Sequence, residues 1–70
     1  MQVLTKQNGL VTYNGIDYQV GTTQALDEDA VHVQLFNQHV KNLYCFLIDD
    51  TTINGEICAT TQDFITKIKQ

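Results

Sequence analysis

The chain reads as a small α+β domain in which a mostly antiparallel sheet of about five or six short strands is closed by one C-terminal helix, the two-layer solution open to a short chain. Three observations carry that reading. Three of the four glycines follow asparagine, at Asn8-Gly9, Asn14-Gly15 and Asn54-Gly55, and proline is absent. Asn-Gly is the favoured pair for a two-residue type I′ hairpin turn, because both residues tolerate positive φ. Apolar residues alternate with polar ones through most of the first 36 positions, the period of a half-buried strand. Only the last ten residues carry helical spacing.

Gln2–Gln7, Leu10–Tyr13 and Ile16–Val20 are separated by the first two Asn-Gly pairs and read as a meander. In the third segment Ile16, Tyr18 and Val20 share one face and Asp17 and Gln19 take the other. Gly21–Asp29 breaks the alternation and has loop composition; Ala25–Ala30 has room for one helical turn. Val31, Val33 and Leu35 resume the alternation, opposite His32, Gln34 and Phe36. This segment is expected to pair antiparallel with the next one across Asn37-Gln38-His39.

Leu43–Ile48 is the only run of six consecutive apolar residues, bounded by Lys41-Asn42 and Asp49-Asp50. Such a run fits a strand covered on both faces, so it is expected at the centre of the fold. The hairpin Thr51–Ile53 and Glu56–Cys58 follows across Asn54-Gly55. In the final helix Thr60 is placed to cap, with Asp63 at the third helical position. Thr61, Phe64, Ile65 and Ile68 form a buried stripe at i, i+3, i+4, i+7. Asp63 in the first turn and Lys67 and Lys69 in the last suit the helix dipole. So short a helix is not stable alone and must dock on the sheet.

Seventy residues make one domain, 1–70. Chains this short bury about 60% of the surface their unfolded state exposes, which leaves a lone core marginal. Charged residues make up 17% of the chain and the net charge is −4, with four Lys and no Arg. That balance excludes the basic stripe of a nucleic-acid binder. No apolar stretch approaches the roughly 20 residues of a membrane span. Met1–Lys6 lacks the apolar core of a signal peptide. Two cysteines are too few for a secreted disulfide scaffold, so Cys45 and Cys58 are expected as free thiols in a reducing compartment, although a bridge across neighbouring strands is geometrically open.

None of the chemistry-bearing residues converges on a catalytic, cofactor or metal site. Cys45 sits inside the apolar run, where burial makes a thiol inert, and Cys58 precedes the helix. His32 and His39 match no zinc-ligand spacing. Asp27-Glu28-Asp29 and Asp49-Asp50 lack the calcium-loop pattern and read as turn residues, with Asp49-Asp50 guarding a strand end. Tyr13, Tyr18, Tyr44 and Phe36 read as strand core rather than as a binding face.

The segment Thr52–Ile65, with its strand, Asn-Gly turn, second short strand and capped helix carrying Asp63-Phe64-Ile65, resembles the closing module of small virion structural proteins of tailed bacteriophages. The resemblance covers the C-terminal third. It implies a non-enzymatic assembly subunit in the virion, a capsid decoration or a head-fibre or tail-associated protein, made in the host cytoplasm. The partners it implies are copies of the chain itself, a larger capsid or tail protein, or both. The competing expectation is a small regulator that binds one host protein by adding a strand to a sheet edge. One helix stripe covers a single face of Leu43–Ile48, so part of the second face is expected to be completed by a partner.

Overall fold

A computed structural model describes residues 1–70. The strands are β1 (Gln2–Gln7), β2 (Leu10–Tyr13), β3 (Ile16–Ala25), β4 (Ala30–Phe36), β5 (Lys41–Leu47), β6 (Thr51–Ile53) and β7 (Glu56–Ile57), followed by the helix α1 (Thr61–Lys69). They form one sheet in the order β5-β4-β3-β2-β1-β6-β7. The α+β class holds. The sheet has seven strands rather than five or six, and it is mixed: β1 and β6 run parallel, while the other five pairings are antiparallel. That pairing joins the two ends of the chain, a non-local contact that no local pattern encodes.

All three Asn-Gly pairs adopt positive φ at both residues, from +53° at Asn14 to +81° at Gly55. These are the left-handed conformations that a type I′ turn needs. Asn54 does more than turn. Its N–H donates to the Leu4 carbonyl at 2.9 Å. Its side-chain oxygen accepts from the Lys6 N–H, also at 2.9 Å. The short strand β6 is thereby held along β1.

Residues 21–29 differ from the expected connection. β3 continues to Ala25, and its register against β4 shifts by one residue between Val20 and Thr23. This is a β-bulge, and it hides the strand's continuation by putting one residue out of phase. Gly21 sits there against the Gln34 side chain, which would have to move to admit a larger residue. What remains as loop is short. The Asp29 N–H donates to Asp27 Oδ1 at 2.7 Å, and the Leu26 N–H donates to the Ala30 carbonyl at 3.0 Å. No helical turn forms.

The largest correction concerns Leu43–Ile48. β5 is an edge strand, not the centre. Phe46 is buried and Tyr44 half-buried toward the core, while Leu43 and Leu47 are 61% and 53% exposed. Cys45, expected to be buried, is exposed as well. The chain then makes a single 3-10 turn, Ile48–Asp50, and enters β6. In a flat sheet β5 and β6 would stand five positions apart, which is about 24 Å at the usual strand spacing. The four peptide steps from Leu47 to Thr51 reach at most about 14 Å. The sheet must therefore curl. The aromatic contacts show it doing so: Tyr13 on β2 lies edge-on to both Tyr44 and Phe46 on β5, each at 5.4 Å between ring centroids.

The inside of the curl is the core, built from Leu4, Val11, Tyr18, Val31, Val33, Leu35, Phe46, Ile53 and the helix residues Phe64 and Ile68. α1 lies across it, with Phe64 and Ile68 fully buried and Ile65 half-buried at its margin. The Asp63 N–H donates to Thr60 Oγ1 at 3.1 Å, and Asp63 Oδ2 accepts from the Ala59 N–H at 3.2 Å. The first bond satisfies a donor that the first helical turn leaves orphaned, and the second ties the residue before the cap to that turn. Thr61 is buried and donates from its hydroxyl to the Asp27 carbonyl at 2.8 Å, tying the helix start to the β3–β4 loop. Lys67 Nζ reaches Glu56 Oε2 at 3.2 Å and Asp63 Oδ2 at 3.5 Å. The hydrogen bond to Glu56 holds the Lys67 pKa above its ordinary value, so this ammonium stays charged at neutral pH.

Candidate assembly surface

Successive residues of a strand face opposite sides of its sheet. In β5 the inward set is Asn42, Tyr44 and Phe46, and the outward set is Lys41, Leu43, Cys45 and Leu47. The outward set turns an apolar row to solvent. A second outward apolar pair, Val3 and Ile57, flanks Thr52 across β1, β6 and β7. Between them the outer face carries Thr5, Thr12, Gln19 and Gln24, neutral polar groups, with Asp17 hydrogen-bonded to Thr12 as the one acid among them.

The backbone of β5 is open on one side. In the β4–β5 ladder the Asn37 N–H donates to the Val40 carbonyl and the Ile48 N–H to the Asp29 carbonyl, both at 2.8 Å. Hydrogen-bonded pairs alternate along an antiparallel ladder. Asn42, Tyr44 and Phe46 therefore turn their N–H and C=O groups toward β4. Lys41, Leu43, Cys45 and Leu47 turn theirs to the open edge. The other edge, β7, is two residues long and carries Glu56 bound to Lys67. Short length and charge are the usual protections of an edge. β5 has seven residues and no bulge or proline, and only Lys41 guards it.

The residues weighed for chemistry fall elsewhere. Cys58 is buried, and that burial pushes its thiol pKa up. Cys45 lies on the sheet's opposite face, and both thiols are free. His32 stands beside Cys45 in the β4–β5 register, and His39 sits in the turn, where its N–H donates to Asn37 Oδ1 at 2.7 Å. Asp27 and Asp29 shape the β3–β4 loop, and Asp49 and Asp50 lie exposed in the 3-10 turn. No group of three His, Cys, Asp or Glu side chains comes together to hold a metal ion. No helix is long and apolar enough to cross a membrane.

Tyr13, Tyr18 and Tyr44 pack with Phe46, and Phe46 with Phe64. Phe36 stays outside this cluster, on the outer face opposite Gln19. The Tyr13 hydroxyl donates to Gln2 Oε1. Hydrogen bonding to Tyr44 raises the Tyr18 pKa, and bonds from Asn42 and Tyr18 lower that of Tyr44. These hydroxyls bond to one another and to neighbouring amides at the rim of the core, which is how buried aromatic bodies with wet tips are accommodated.

What the arrangement can do is offer a strand. The open β5 edge has backbone donors and acceptors in sequence and an apolar row beside them, the two elements of recognition by strand addition. The apolar run lies at an edge and not at the expected centre; a strand buried on both faces and an edge strand with an apolar outer row have the same composition. No family model, curated protein or solved structure matches this chain.

Proposed function

We propose that the chain is a non-enzymatic assembly subunit that works through protein–protein contacts, most specifically a virion protein of a tailed bacteriophage that decorates the capsid or joins the fibre or tail apparatus. The observation that carries the assembly reading is the unprotected β5 edge with Leu43, Cys45 and Leu47 turned outward. The phage part rests on the resemblance of Thr52–Ile65 to small virion proteins. Interfaces between copies, or with a larger shell protein, would bury the apolar surface that a 70-residue chain leaves uncovered. The outward pair Val3 and Ile57 offers a second contact, as an array of many copies requires.

The same edge supports a second reading, a regulator that adds β5 to the sheet of one host protein. Quantitative mass spectrometry of purified particles separates the two. A virion subunit is expected in a fixed, high ratio to the major shell protein. Absence from particles, together with recovery of one host protein in equal amount on the tagged chain, would replace the assembly reading with the regulator.

A further inference from the structure

We infer that the open edge of β5 pairs with the β5 of a second copy, antiparallel about a two-fold axis at Cys45, so that one sheet runs through both chains. The inference rests on the reading of β5 as an assembly edge and adds the partner and the register. A two-fold contact must be self-complementary, and the β5 sequence is so about one residue. With Cys45 opposite its own copy, Leu43 meets Leu47 and Leu47 meets Leu43, and the outward row becomes an unbroken apolar ladder. One step further out, Lys41 of each chain falls opposite Asp49 of the other, just past the strand end. Both are exposed and carry opposite charges.

The backbone agrees. Leu43, Cys45 and Leu47 are the residues whose N–H and C=O groups point away from β4, and in this register they meet one another. The neighbouring choices, a two-fold at Tyr44 or at Phe46, satisfy the same backbone groups, but the first sets Lys41 against Leu47 and the second sets Leu43 against Asp49, each leaving a charge without a partner. Charge and apolar pairing therefore select Cys45 as the centre.

Cys45 supplies the probe. A hydrogen-bonded antiparallel pair has Cα atoms about 5.5 Å apart, within the range a disulfide spans. A two-fold at Tyr44 would put Cys45 opposite Leu43 and the two sulfurs on a diagonal, with Cα atoms about 7–8 Å apart, beyond that range. The full chain is incubated with oxidised glutathione, which takes the two electrons and two protons released as two Cys45 thiols become one disulfide. Buried Cys58 does not compete. Sedimentation equilibrium is measured in parallel on the reduced chain, on Lys41→Asp, on Asp49→Lys and on the double variant.

The expected result is a reversible dimer when reduced and a covalent dimer through Cys45 on oxidation. Each single charge variant should weaken association by about three- to tenfold, and the exchanged pair should restore it. All three variants alter exposed positions, so loss of the fold does not confuse the outcome. A chain that stays monomeric at millimolar concentration overturns the inference. So does a dimer that neither cross-links at Cys45 nor responds to the charge exchange. A monomer in solution that is nevertheless present at high ratio in particles overturns this pairing and leaves the assembly reading standing. Absence from particles removes that reading instead.

Discussion

Phe64→Ala should cost about 3–5 kcal/mol, the usual range for emptying a fully buried aromatic site. Chains of this length have in total about 4–10 kcal/mol of stability. The variant is therefore expected near or below the folding threshold, with a thermal midpoint at least about 12 °C lower at roughly 4–8 °C per kcal/mol. The reason is position. Phe64 is fully buried, and its ring lies 5.9 Å from that of Phe46, so it is the contact through which α1 meets the inside of the curled sheet. Nine residues of helix have no independent stability to fall back on. Urea unfolding followed by circular dichroism measures the effect. A loss below about 1 kcal/mol, the usual scale of a surface change, would mean that the helix is not docked as described.

The second large effect is a contrast between neighbours. Phe46→Ala is expected to cost about 3–5 kcal/mol, and Leu47→Ala, one residue along, less than about 1 kcal/mol in the monomer. Phe46 is 1% exposed and touches Tyr13, Tyr44 and Phe64, bridging β2, β5 and α1 across the curl. Leu47 points the other way into solvent. Both substitutions remove a large apolar side chain from one uninterrupted apolar run, so only the face can separate them. Similar losses at the two positions would restore the expectation that this run is buried on both sides.

That run marks the limit of what could be read before the structure. Elements set by neighbours in the chain were legible. The Asn-Gly turns, the alternation of Val31, Val33 and Leu35, and the cap at Thr60 with the stripe Phe64 and Ile68 all stand where they were expected. Features set by distant parts of the chain were not. The parallel β1–β6 pairing has no local signature. The bulge after Val20 shifts the phase of β3 by one residue, which is enough to make a strand look like a loop. Leu43–Ile48 is legible as a strand but not as an edge. Its apolar outer row faces solvent, and composition does not tell such an edge from a strand covered on both faces. The expectation that Cys45 would be buried failed for the same reason.

Residue-resolved amide hydrogen exchange across a dilution series bears on whether β5 is an open edge held for a partner. In dilute protein the amides of Leu43, Cys45 and Leu47 should exchange orders of magnitude faster than those of Asn42, Tyr44 and Phe46, which bond to β4. On concentration, or in the presence of the partner, the fast set should become protected while the slow set changes little. Equal protection of both sets in a monomer at every concentration would contradict this, because the edge would then be covered by the chain itself.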